Sequence, residues 1–252
     1  MHPPNDTPVT PRIAVVGAGR LGRALVAALS AASFDVCGPL RRGADGRGAD
    51  AVLLCVPDAE IAVAAAALRC TSGQLVGHCS GATGLDPLAG YEAFSLHPLM
   101  TVTAQGATFA GAGAAVAGSS AGALRFATML ARRLGMEPVE VAGADRAAYH
   151  AAASIASNFL ITVEYAAERL AATAGIDRRL LAPLVRASVE NWVTLGAEAA
   201  LTGPVARGDQ DTVARQRDAV AQRADELLPL FDALVSATET LAGRRLPEAS
   251  VR

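Results

Sequence analysis

Two histidines carry most of the chemistry this sequence offers. His97 stands in Ser95-Leu96-His97-Pro98, and His150 opens the run His150-Ala151-Ala152-Ala153-Ser154-Ile155-Ala156-Ser157-Asn158. Imidazole is the side chain best suited to proton transfer near neutral pH. His150, Ser154 and Asn158 recur at i, i+4 and i+8, so on a helix they share one face. Polar groups striped along an alanine-rich helix are costly to bury without a partner. The stripe is therefore expected to face a ligand, with His150 giving a proton to a carbonyl and Ser154 and Asn158 holding a hydroxyl or carboxylate. The alternative is a seam satisfied by another helix or a second subunit. Ser80 follows an apolar run in His78-Cys79-Ser80-Gly81-Ala82 and is expected to hydrogen-bond a substrate oxygen. His97 reads equally as a proton donor or as a structural residue bonding a loop carbonyl. Arg207, in Gly203-Pro204-Val205-Ala206-Arg207-Gly208-Asp209, offers a guanidinium fork for a carboxylate or phosphate. Asp209 suits a helix cap.

A second group of residues suits a dinucleotide. Gly17-Ala18-Gly19-Arg20-Leu21-Gly22 follows the apolar run Ile13–Val16 and opens a helical stretch. In that order Gly17 permits a tight turn, Gly19 lets a pyrophosphate approach the backbone, and Gly22 lets helix and strand pack closely. The helix N-terminus favours the anion. An acidic residue about 20 positions on would bind the ribose 2′-hydroxyl of NAD. Here the next apolar strand instead runs into Arg41 and Arg42, whose forks suit the 2′-phosphate of NADP, so NADP is expected over NAD. An exposed arginine pair on a loop is the plainer reading. Val56-Pro57-Asp58 closes the apolar run Ala51–Val56 and is expected beneath the cofactor ribose, although it is equally compatible with a simple strand stop.

Composition narrows the setting. Net charge is −2, with no strongly basic stretch, which argues against nucleic acid and anionic membrane surfaces as partners. No run approaches the roughly 20 apolar residues of a membrane helix. All 22 basic residues are arginine, so no lysine is available as acid, base or Schiff-base former. Cys37, Cys55, Cys70 and Cys79 make no Cys-x-x-Cys pair or metal-ligand cluster, so no metal is expected and a reducing cytoplasm is the simplest location.

The elements that must position these residues alternate. Short apolar runs at 13–16, 34–37, 51–56, 74–78, 93–97, 112–117 and 136–141 are separated by helical stretches or loops. This predicts an α/β Rossmann fold, a doubly wound parallel sheet covered on both faces, over 12–142. From 143 to 243 no strand pattern remains, and an all-α domain is expected. It begins with one long helix, Asp145–Ala174, and continues with helices over about 178–195, 211–224 and 224–242, broken at Gly203-Pro204 and Pro229. Residues 1–11 read as a disordered leader and 244–252 as a frayed tail.

GAGRLG, the VPD turn, HCSG, SLHP, YHAAASIASN and LTGPVARGD occur in this order. With them the chain resembles, from about Arg12 to Leu241, proteins that join a Rossmann-like domain to a DUF2520 domain. That family is similar in layout to 6-phosphogluconate-dehydrogenase-like reductases, among them ketopantoate reductases, pyrroline-5-carboxylate reductases and prephenate dehydrogenases. The resemblance implies NAD(P)-dependent reduction and leaves the substrate open; with Arg41 and Arg42 favouring NADP, NADPH-dependent reduction of a small carbonyl acid is expected. A 2-oxo acid such as ketopantoate, reduced to pantoate in pantothenate biosynthesis, is the leading expectation. Ordinary ketopantoate reductases open the inter-domain helix with a lysine and follow it with an asparagine. Here His150 stands in the lysine position and Asn158 follows two turns on. Prephenate dehydrogenases orient a His-Pro histidine with a serine on the preceding strand, an arrangement that His97 and Ser80 resemble. The two patterns name different acids, and both stand. The alternatives are a prephenate-type or imine-reducing dehydrogenase and a non-catalytic NADP-binding sensor. A homodimer through the helical domain is expected.

Overall fold

The computed structural model describes residues 10–69, 71 and 73–243. Residues 1–9 of the expected leader, Cys70 and the expected tail over 244–252 lie outside the described residues. The chain divides into two compact units, Met1–Asn158 and Phe159–Arg252.

The apolar runs of the first unit become a seven-stranded sheet. Its strands are β1 (Arg12–Val16), β2 (Asp35–Leu40), β3 (Ala51–Leu54), β4 (Leu75–His78), β5 (Glu92–Leu99), β6 (Gly113–Gly118) and β7 (Glu137–Glu140). They lie side by side as β2-β1-β3-β4-β5-β6-β7. Helices α1 (Arg20–Ala31), α2 (Ile61–Ala66), α3 (Ala121–Arg133) and α4 (Arg146–Ser154) complete the unit. Successive strand residues point to opposite faces, so β1 feeds two cores. Ile13 and Val15 pack with Leu25 and Leu29 of α1 and Leu130 of α3, while Ala14 and Val16 pack with Ile61 and Ala65 of α2. Strands buried on both faces read as continuous apolar runs, which is how the doubly wound α/β fold showed in the sequence.

One pairing departs from the expected parallel sheet. β6 runs antiparallel to β5, from Phe94↔Gly118 to Leu99↔Gly113. A parallel return needs a crossover, usually a helix. The connection 100–112 carries none, and the chain turns back beside the strand it has just left. β5 also continues past the expected 93–97, so His97 lies inside the strand rather than at its end.

β1 sits between β2 and β3, so the chain leaves it on one side and returns on the other. Ligands of open α/β sheets bind at such a switch point, outside the carboxyl ends of the strands. Val16 pairs with Leu54 and Leu54 with His78. The segments that follow β1, β3 and β4 therefore emerge together at this edge.

The expected single helix over 145–174 is interrupted. After α4 comes a π turn, Ile155–Phe159, and only then α5 (Leu160–Ala172). A π turn accommodates an extra residue, so the regular i, i+4 spacing ends at Ser154. The rest of the second unit is helical: α6 (Arg178–Leu195), α7 (Ala197–Ala200), α8 (Pro204–Arg207), α9 (Gln210–Arg223) and α10 (Leu228–Ala242). Asp177 accepts from Arg179 N at 2.8 Å and caps α6, and Asp209 accepts from Thr212 N at 3.0 Å and caps α9. Pro229 does not break a helix. It occupies the first turn of α10, where its missing N–H has no intrahelical partner to lose. Arg217 clamps Asp232 through two contacts of 2.8 and 2.9 Å, joining α9 to α10. Helices α5 and α6 expose apolar side chains, including Ile161, Leu180, Leu184 and Trp192. No helix among the described residues is long and apolar enough to cross a membrane.

Candidate functional site

The glycine turn has three distinct surroundings. Gly17 adopts φ +118°, and a Cβ there would meet the Cys55 carbonyl oxygen at 2.2 Å. A Cβ on Gly22 would meet the Gly17 carbonyl oxygen at 1.9 Å, whereas one on Gly19 would meet nothing within 4 Å. Gly17 and Gly22 are thus fixed by the protein's own backbone, and Gly19 faces open space. Gly19 also caps α1 with its backbone extended and no side chain over the helix N-terminus, and the first turn holds no acidic residue. Such a helix start, with its N–H groups free of a side-chain cap, suits an anion. A cleft of about 400 Å³ lies against it, lined by Gly19, Arg20, Leu21, Val56, Asp58 and Ser80 with Cys55 and Cys79. Arg41 and Arg42 follow β2 directly and are exposed, and one nitrogen of Arg42 lies 3.3 Å from Glu60. Pro57 is exposed beside Val56 and Asp58 at the end of β3.

The segment after β4 is fastened at every step. His78 is wholly buried, with Nε2 2.8 Å from the Gly84 carbonyl and Nδ1 accepting from Ser80 N at 3.1 Å. Only the Nε2–H tautomer satisfies both contacts. Burial lowers its pKa, in keeping with a neutral structural ring. Ser80 donates its hydroxyl to Asp58 at 2.7 Å and accepts from Thr83 N at 2.9 Å. Thr83 donates to the same carboxylate oxygen at 3.1 Å. Asp58 thus ties the turn after β3 to the turn after β4. Beneath them lies Arg146, 1% exposed, donating to the Ser80 and Thr83 carbonyls at 3.1 Å each and to the Ser95 hydroxyl. Burial presses its pKa down. Sequence reasoning missed Arg146. Its one visible signal was an arginine in the first turn of an alanine-rich helix, where a solvated side chain is the ordinary expectation.

The two histidines meet over Gly81. A Cβ on that residue would come within 2.8 Å of both His150 Cδ2 and His97 Cε1, and the ring centroids stand 6.0 Å apart, edge to face. Nδ1 of His97 lies 2.8 Å from the Tyr149 hydroxyl. The orienting partner of His97 is thus Tyr149, one residue before His150, while the Ser80 hydroxyl is directed to Asp58. Burial, then the neighbouring His150 and Arg146, lower the His97 pKa to about 4. Burial raises that of Tyr149. With the phenol donating, Nε2 of His97 carries the hydrogen.

These rings line a second cleft of about 710 Å³, whose walls also include Ser154, Ser157 and Asn158. The structure thus brings together His97, His150, Ser154 and Asn158, and adds Tyr149 and Ser157. Both clefts are lined by Arg20, Met100 and Val102, so they adjoin. Arg207 belongs to the second unit, where it closes α8. Among the described residues no group of three or more His, Cys, Asp or Glu is placed to hold a metal ion.

A family profile described as "Domain of unknown function (DUF2520)" matches residues 112–238. Among solved structures, a candidate NADP oxidoreductase from Bacteroides fragilis is similar at TM-score 0.79 and 18% identity, covering 91% of this chain and 98% of its own. Protein TM1727 from Thermotoga maritima is similar at TM-score 0.78 and 23% identity, covering 92% and 99%. A reductive aminase from Aspergillus terreus, solved with NADPH and ethyl levulinate, is similar at TM-score 0.68 and 15% identity, covering 93% and 99%. At these identities the likeness is one of fold. No curated protein sequence matches the chain.

Proposed function

The chain belongs to the DUF2520 family, and on that footing we propose that it is an NADPH-dependent oxidoreductase that reduces a small 2-oxo acid, ketopantoate being the leading case. The observation that carries this reading is the adjacency of the two clefts. A glycine turn open only at Gly19 supplies the dinucleotide cradle, and a wall of imidazoles begins where Arg20, Met100 and Val102 leave off. The solved neighbours of this fold include proteins described as NADP-dependent or solved with NADPH. A nicotinamide cofactor held by the residues of the first cleft would supply a hydride.

The chain's own residues divide the remaining work. Gly17–Gly22 and the N-terminus of α1 hold the pyrophosphate, with Val56 and Pro57 beneath the ribose and Arg41 and Arg42 toward the 2′-phosphate. His97, kept neutral by burial and fixed by Tyr149, presents Nε2–H to the carbonyl oxygen, as a neutral imidazole can. His150 stands in the same wall and is the candidate for delivering the proton. Ser154, Ser157 and Asn158 orient the carboxylate or hydroxyl of the substrate. Ser80 acts through Asp58 and Arg146 by holding its turn in place. Arg207 remains a candidate substrate anchor. The exposed apolar faces of α5 and α6 support a homodimer through the helical unit, which light scattering of the purified chain tests directly.

The decisive experiment is NADPH oxidation against a panel of 2-oxo acids and cyclic imines. Turnover of a 2-oxo acid, lost in His150→Ala with NADPH affinity retained, is the expected result. Turnover confined to imines would move the chain to the imine-reducing class. NADPH binding with no turnover, unchanged in His97→Ala and His150→Ala, would make it a cofactor-binding sensor. Arg41→Ala is expected to weaken NADPH more than NADH.

A further inference from the structure

The floor of the dinucleotide cleft holds two thiols for which the proposed reaction has no use. Sγ of Cys55 and Sγ of Cys79 stand 3.7 Å apart, each on the residue that follows its strand, β3 or β4. Those strands are paired in register up to Leu54↔His78, so the two cysteines face each other across neighbouring strands. The sulfurs need only close from 3.7 Å to the roughly 2.05 Å of a disulfide. Both residues line the cleft, Cys55 half-buried and Cys79 buried, so the more exposed cysteine is paired with a less exposed one that can resolve it.

We propose that Cys55 and Cys79 form an oxidisable dithiol whose disulfide closes the floor of this cleft and weakens dinucleotide binding. The chemistry is thiol–disulfide exchange with a low-molecular-weight disulfide such as oxidised glutathione. The Cys55 thiolate attacks one sulfur and releases the first glutathione thiolate. Cys79 then attacks Cys55 in the mixed disulfide and releases the second. Two electrons pass from the dithiol to the reagent, and the two thiol protons end on the two glutathione molecules. Cys79 is held protonated chiefly by its contact with Cys55 and then by burial, so capping Cys55 removes the larger restraint.

Coupling to the cofactor follows from what Cys55 supports. Its carbonyl oxygen is the atom a Gly17 Cβ would strike, and its own Cβ lies 3.3 Å from where a Gly22 Cβ would be. Drawing Cys55 toward Cys79 therefore disturbs the backbone on which the glycine turn rests. By reciprocity, a bound dinucleotide shifts the dithiol–disulfide equilibrium toward the dithiol by the factor that oxidation lowers its affinity, and by covering Cys55 in the cleft it slows the attack.

The formation of the bond stands on geometry alone, whereas its effect on the dinucleotide rests on the proposed function. The full-length protein is treated with oxidised glutathione, with and without NADPH, and followed by intact mass and peptide mapping. The expected result is a loss of about 2 Da, the two thiol hydrogens, mapped to a Cys55–Cys79 link. Formation should be several-fold slower with NADPH present, and Cys79→Ser should stop at glutathionylated Cys55. A stable mixed disulfide at Cys55 in the unmodified chain, or a link to Cys37 or Cys70 instead, overturns the proposal. Fluorescence titration of the reduced protein with NADPH separates the two failures. If NADPH binds and no link forms, the dithiol proposal is wrong and the cofactor reading stands. If the link forms and NADPH neither binds nor slows it, the cofactor reading fails and the dithiol remains.

Discussion

The Tyr149 hydroxyl and Nδ1 of His97 lie 2.8 Å apart, and both groups are held neutral by burial. With the phenol as donor the hydrogen of His97 sits on Nε2, the nitrogen that faces Gly81. Tyr149→Phe removes the donor and leaves the ring. We expect a destabilisation below about 1.5 kcal/mol, as for one neutral hydrogen bond, and a roughly tenfold drop in kcat/KM. Long-range nitrogen–proton NMR of His97 should show a single tautomer in the parent protein and a mixture in the variant. A single tautomer in both would remove Tyr149 from its positioning role.

The same burial makes stability depend on pH. Between pH 6.5 and about 4 the unfolded chain binds a proton at His97 that the folded chain refuses. The unfolded state holds more protons in that window, so stability is whole above pH 6.5 and falls as the pH drops toward 4. His78 is shifted in the same direction and adds to the slope. Urea midpoints measured across this range should decline toward acid, and the decline should be shallower in His97→Asn. Equal slopes in the two proteins would show that His97 is not the titrating group.

Gly81→Ala tests whether the two rings need their shared space. The added methyl would lie 2.8 Å from a carbon of each imidazole. His150 is exposed and can turn aside, but His97 is tethered to Tyr149 within a strand. The strain therefore falls on the His97–Tyr149 contact. Overpacking of this kind costs about 1–3 kcal/mol. Activity should fall further than stability does, as seen by comparing thermal midpoints with kcat/KM. A variant with parent-like kcat/KM would show that the imidazoles tolerate displacement.

The sequence made the scaffold legible because buried parallel strands are apolar along their whole length. Ala51–Leu54 and Ile13–Val16 could hardly have been read otherwise. The antiparallel turn of β6 left no such mark, since alanine and valine look alike in either direction. The site was half legible. His97, His150, Ser154 and Asn158 stood out by residue type and spacing, and one cleft wall contains them all. Tyr149 did not, because its role depends on meeting a strand 52 residues earlier in the chain. Arg146 was hidden for the opposite reason. A buried arginine held by carbonyls and a hydroxyl has no sequence partner to announce it.

Arg146 is expected to be the structural keystone of the turn after β4. Arg146→Met keeps the length of the side chain and leaves two carbonyls and the Ser95 hydroxyl without this donor. The loss should be on the order of 3 kcal/mol, because unmet buried acceptors retain their desolvation penalty. Arg146→Lys retains the charge but lacks the planar fork that reaches several acceptors at once, and should recover only part of that loss. Full recovery by lysine, measured by chemical denaturation, would mean that charge rather than geometry holds the turn.

The glycine turn gives the sharpest separation of fold from ligand. Gly17→Ala and Gly22→Ala each force a methyl into backbone, at 2.2 Å from the Cys55 carbonyl oxygen and 1.9 Å from that of Gly17. Gly17 also needs its positive φ. Backbone cannot move aside as a side chain can, so both variants should lose roughly 2–4 kcal/mol. Gly19 has φ −70° and open space where its Cβ would point. Gly19→Ala should therefore stay within about 0.5 kcal/mol of the parent. On the proposed function that open space is where the pyrophosphate approaches, so NADPH affinity should drop at least about tenfold through the intruding methyl. Chemical denaturation and NADPH titration on the three variants test both halves. Parent-like NADPH affinity in Gly19→Ala would remove the dinucleotide from this turn. A stability loss in Gly19→Ala equal to that of Gly17→Ala would show that the space at Gly19 is already filled by protein.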